Sequence, residues 1–153
     1  LGQAKAVSYN LASFAWPGWG EEGIVLSPSD ISMGFDAAKL NLRLAIELKR
    51  GADPMGKAHW MLGAYYLAVE DPEAAKEQFG IAADFEREAS PEGKGLLSEG
   101  YRVVTDLIAQ PDESKLSAEL AQIQDQLRKL EDGAFFADQL STALRVLAAS
   151  STR

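Results

Sequence analysis

Large apolar residues recur along most of this chain at intervals of three and four, which is the repeat of an amphipathic helix. From 30 to 50, Ile31, Phe35, Ala38, Leu42 and Ala45 form one such stripe, closed by Gly51 and capped by Ser29 or Asp30. From 55 to 69, Ala58, Met61, Leu62, Tyr65, Tyr66 and Val69 cover more than one face, so this helix should have neighbours on two sides. Further stripes follow: Ala75, Phe79, Ala82 and Phe85; Leu97, Tyr101, Val104 and Ile108; Leu116, Leu120, Ile123, Leu127 and Leu130; and Phe136, Leu140, Leu144 and Leu147. Ala4, Val7, Leu11 and Phe14 mark a short first helix. The predicted fold class is all-α.

Prolines punctuate these stripes. Asp53-Pro54, Asp71-Pro72 and Ser90-Pro91 each place a capping residue before a proline, the pattern of an N-cap and first helical position, and Asp112 after Pro111 is a fourth candidate cap. Prolines 54, 72, 91 and 111 leave room for one helix and one short turn in each interval, which suggests antiparallel helix pairs. Asp132-Gly133 breaks the chain before the last helix. Residues 15–29, with three glycines and two prolines, do not read as helix; Ile24, Val25 and Leu26 are candidates for a brief extended run. A loop of that length is either functional or a packed excursion.

Residues 56–89 resemble a tetratricopeptide repeat: Leu62-Gly63, Tyr66, Ala75, Phe79 and Ala82 stand at that family's spacing. Trp60 falls one place later than the usual bulky residue, Glu70 replaces the turn glycine, and Arg87 stands where a proline is usual. Gly63 and the alanines would let two helices approach closely while Tyr66 and Phe79 fill the seam. Leu97-Ser98 and Tyr101 begin a looser second match. The resemblance implies a short right-handed α-solenoid of helix pairs forming a single domain over residues 1–153, with its best repeat core at 53–131, an inserted loop at 15–29 and a capping helix at 134–149. It also implies a ligand-binding concave face, whose matching positions are Lys57, Trp60, Met61, Ala64, Leu67 and Ala68. That surface is apolar with one cation and lacks the Lys/Asn set that clamps a peptide carboxylate. Alternatively, the N-terminal loop or the last helix covers Trp60.

Composition narrows the chemistry. There are no cysteines, so thiolate catalysis, disulfides and zinc fingers are excluded. The net charge of −8 disfavours nucleic acid as a partner, and no apolar run approaches a membrane span. His59 is the sole histidine, and position 56 is glycine rather than the glutamate of a di-iron helix pair. The acid groups Glu21-Glu22, Glu70-Asp71 and Glu86/Glu88 read as solvated turns and helix ends. Trp16 and Trp19, in Trp-Pro-Gly-Trp, either clamp a ligand or pin their loop to the core. Lys39, Arg43 and Arg50 share one side of a helix, as a solvated face or an acidic-partner patch.

The expected function is a non-catalytic protein-interaction scaffold that binds a partner peptide or helix, needs no cofactor or metal and inserts in no membrane. A carrier of small apolar ligands is the alternative, and a helical hydrolase a third reading. Phe135 and Phe136 cannot both enter one narrow stripe, so a homodimer through the last helix is an expectation. The chain begins at Leu1 rather than Met; a removed signal peptide, a tag or a cut would account for that, leaving cytoplasmic and exported locations open.

Overall fold

The computed structural model describes residues 1–151; the last two residues of the expected domain, and nothing else of it, lie outside. The described residues form seven α-helices: α1 (Gly2–Phe14), α2 (Pro28–Glu47), α3 (Ala52–Ala68), α4 (Pro72–Ala89), α5 (Leu96–Ala109), α6 (Ser114–Leu127) and α7 (Gly133–Ser151). Short 3-10 turns stand at Pro17–Trp19 and Pro91–Gly93, and there are no strands among the described residues. Each helix from α1 to α6 packs on the next. α7 packs on α5 and α6 and also on the 3-10 turn that follows α1, so the two ends of the chain meet.

Local chemistry explains most boundaries. Ser27, rather than Ser29 or Asp30, caps α2. Its hydroxyl accepts from the Asp30 amide at 3.1 Å, the Asp30 carboxylate accepts from the Ser27 amide at 2.8 Å, and Pro28 holds the first helical position. The Ser27 hydroxyl, which also donates to the Asp30 carboxylate at 2.7 Å, and the Ser27 amide hold the Asp30 carboxyl below its ordinary range. Asp71 caps α4 as predicted, accepting from the Ala74 amide at 3.2 Å.

The other proline pairs act differently. Gly51 does not end α2; it begins α3, and Asp53 and Pro54 lie inside the first turn of that helix. Proline is tolerated there because first-turn amides have no intrahelical acceptor to lose. Ser90-Pro91 opens the second 3-10 turn instead of α5, which starts from Gly95. Glu113 rather than Asp112 caps α6, accepting from the Lys115 amide at 3.2 Å. Ile24–Leu26 form no strand.

The position of the first helix holds, but its face is reversed. Val7, Leu11 and Phe14 face solvent, Phe14 at 82% exposure, while Ser8 and Ala12 are buried. The buried face of α2 is also small: Gly34, Ala37, Ala38, Asn41, Leu44 and Ala45. A Cβ on Gly34 would stand 2.8 Å from the Ala15 Cβ and closer still to the Tyr65 hydroxyl. Close approach of α1, α2 and α3 therefore requires small residues inside, and the larger apolar residues of α1 are left outside.

Between α3 and α4, Gly63 lies against Phe79, whose ring would be 2.9 Å from an added Cβ. The turn after α3 is made by Glu70 at φ +62, a left-handed position that normally favours glycine. One continuous core joins the helices. Its centre is Trp16, Trp60, Tyr65, Phe79 and Tyr101, with Leu140 from α7.

Candidate functional site

The Trp-Pro-Gly-Trp segment folds inward. Trp16 is fully buried, and its indole N–H donates to the Ala64 carbonyl at 2.9 Å. Trp19 is half-buried and donates to the Ser13 carbonyl at 2.6 Å. The two rings meet edge to face at 5.0 Å, and Trp60 lies 5.5 Å from Trp16 and 5.8 Å from Trp19. Tyr101 closes the group, 5.3 Å from Trp60 and 6.0 Å from Trp16. Edge-to-face aromatic packing of this kind adds to the burial of the rings. Gly20, at φ +61, brings the turn against Thr142 and Val146 of α7, leaving no room for a side chain. The aromatic turn thus packs over the middle of α3, at Trp60 and Ala64.

The expected binding residues consequently separate. Met61 and Ala64 are core, with no exposure. Leu67 and Ala68 line a small cavity of about 270 Å³ with Thr105, Ile108 and Leu147. Lys57, Trp60 and Trp19 come together at a larger cavity of about 410 Å³. Its walls are the first half of α3, the α4–α5 connection around Leu96 and Leu97, and the α6–α7 corner with Leu127, Leu130, Phe135, Phe136 and Gln139; Tyr9 joins from α1. Phe135 stands 66% exposed, while Phe136 is half-buried, the two rings edge to face at 5.5 Å.

Charge lies at the edges of this space. The Lys57 ammonium is bridged to Asp53 at 2.8 Å, one turn away on α3. Glu86 accepts from the Ser98 hydroxyl and, at 3.4 Å, from the Ser98 amide, so it caps the start of α5 from the preceding helix. Burial pushes the Glu86 carboxyl up from its ordinary value, and the bonds from Ser98 oppose that shift. Burial likewise raises the Tyr9 hydroxyl.

The other candidates have local partners. His59 stacks on Phe85 at 5.6 Å, with Nδ1 2.8 Å from the Gln78 side-chain carbonyl. Lys39 lies 3.9 Å from Asp36 and over the Phe35 ring, and Arg43 is bridged to Glu47 at 3.2 Å. Among the described residues no group of three metal-ligating side chains converges, and no helix is long and apolar enough to cross a membrane.

Sequence reasoning missed the α6–α7 side of the cavity. The signal was present: Gln139 shares its helical face with Phe136, Leu140 and Ala143, an amide within an apolar stripe. Compared with known proteins, the chain matches no family model, no curated protein and no solved structure.

Proposed function

We propose that this chain is a non-catalytic interaction module that holds the apolar side chains of a partner segment in the cavity between α3, α5 and α7. The observation that carries this reading is the continuity of the cavity with an exposed aromatic rim. Phe135 is two-thirds exposed beside walls built of Trp19, Trp60, Leu97, Leu130 and Phe136. A large apolar side chain in water beside a concave apolar wall is the usual mark of an interaction surface.

The resemblance of residues 56–89 to a tetratricopeptide repeat supports an interaction role and a reading of the helix stack as a short array of such pairs. The partner site moves, however, from the concave face to this lateral cavity, because the Trp turn covers the former. Trp60 accordingly serves as a wall and core residue. Its truncation would cost several kcal/mol of stability, about 3–5 for a buried tryptophan, and would not report on binding alone.

Phe135→Ala is the cleaner variant, since the ring is outside the core. Random peptides displayed on phage and selected on the whole chain should enrich sequences with one large apolar anchor. Their affinity, followed by tryptophan fluorescence, should fall by about 2 kcal/mol in Phe135→Ala if the rim is an anchor. Failure to enrich any peptide, or enrichment of peptides indifferent to Phe135→Ala and Leu130→Glu alike, would overturn the proposal. A small apolar ligand is the second reading, favoured by a volume of about 410 Å³, which lies within the range of small-molecule sites. A compound of defined mass released from the purified protein would favour it.

A further inference from the structure

Gln139 lines the cavity, is only 8% exposed, and its side chain has no hydrogen-bond partner among the described residues. Its amide atoms are not fully buried, so they keep access to solvent. The indole N–H of Trp60, in the α3 wall of the same cavity, is fully buried and unpartnered. An accessible amide in a largely apolar wall is bound by water while the cavity is empty, and an occupant that covers it must replace those hydrogen bonds or lose free energy that a leucine in its place would not cost. The charges are equally specific. Asp53, Glu86 and Glu131 line the cavity against one cation, Lys57, which is already bridged to Asp53. A ligand carboxylate would meet that negative excess.

We infer that Gln139 selects the occupant of this cavity: an uncharged apolar group attached to an amide, as in a peptide main chain. The Gln139 NH₂ donates to the ligand carbonyl and its carbonyl accepts from the ligand N–H. The inference rests on the interaction-module reading and adds the chemistry that the partner must bring. A site that offers an amide discriminates against a hydrocarbon of the same shape, which would cover that amide and leave it unpaired.

Three probes of similar apolar size separate the possibilities in an NMR titration of the whole chain: N-acetyl-phenylalanine methylamide, n-butylbenzene and 4-phenylbutanoate. The methylamide should bind tightest and the carboxylate weakest. Gln139→Leu should weaken the methylamide by about 3- to 10-fold, the range of one neutral hydrogen bond, and leave n-butylbenzene unchanged or tighter. Gln139→Met provides the same readout should leucine disturb the fold, which thermal unfolding of both variants checks. Equal binding of methylamide and hydrocarbon, unaltered by either variant, would overturn the inference while leaving the cavity reading intact. Tightest binding of the carboxylate would also overturn it. Binding of none of the three would overturn both.

Discussion

Two tyrosines with the same burial have opposite hydrogen-bond standing. The Tyr65 hydroxyl donates to the Ala12 carbonyl across the α1–α3 contact, whereas the Tyr101 hydroxyl is buried with no partner. Removing the first hydroxyl orphans a carbonyl; removing the second deletes an unpaired group. Tyr65→Phe should therefore cost about 1 kcal/mol in urea unfolding, and Tyr101→Phe should be neutral or stabilising. The opposite order would mean that a water or ligand holds Tyr101. Burial raises both hydroxyls well above the ordinary tyrosine value of 10.0. Each then stays protonated in the folded chain at pH values where the unfolded chain ionises. Their contribution is complete below about pH 10 and is lost as the pH rises beyond it. The urea midpoint should fall between about pH 9 and about pH 11, less steeply in Tyr65→Phe and Tyr101→Phe; an unchanged slope in both would contradict this assignment.

At the scale of elements, α1 separates what periodicity can show from what it cannot. Its stripe of Val7, Leu11 and Phe14 faces water, while Ser8 and Ala12 face the core. Phe14→Ser should accordingly shift stability by no more than about 0.5 kcal/mol in thermal unfolding, as at other surface positions. A larger loss would put Phe14 in the core after all. The all-helical class and the approximate span of every helix were legible because spacing alone determines them. Which face turns inward depended on how close α1, α2 and α3 approach, and that distance is governed by Gly34, Ala12 and Ala38 rather than by the largest residues. The cap at Asp71 was legible, whereas those of α2 and α6 were placed on neighbours of Ser27 and Glu113 that are also good capping residues. The caps of α3 and α5 were also misplaced, because the backbone of Gly51 or Gly95 starts those helices. Of the residues lining the cavity, Lys57, Trp60 and Trp19 were among the expected binding positions. The rest comes from Tyr9, the α4–α5 connection and the α6–α7 corner, and no local pattern brings these segments to one cavity.

For the molecule as a whole, the contact between α7 and the Trp turn decides where a partner could bind. It holds the Trp turn over Trp60 and Ala64 of α3 and leaves the lateral cavity with its exposed Phe135 rim. The chain's three tryptophans report on this arrangement separately, because Trp16 is held by the Ala64 carbonyl while Trp19 and Trp60 line the cavity. The most direct test follows the three indole N–H resonances while N-acetyl-phenylalanine methylamide is titrated into the whole chain. Binding in the lateral cavity predicts saturable shifts at Trp19 and Trp60, with Trp16 moving least. No shift at any indole, or shifts confined to the neighbourhood of Leu67 and Ala68, would contradict it.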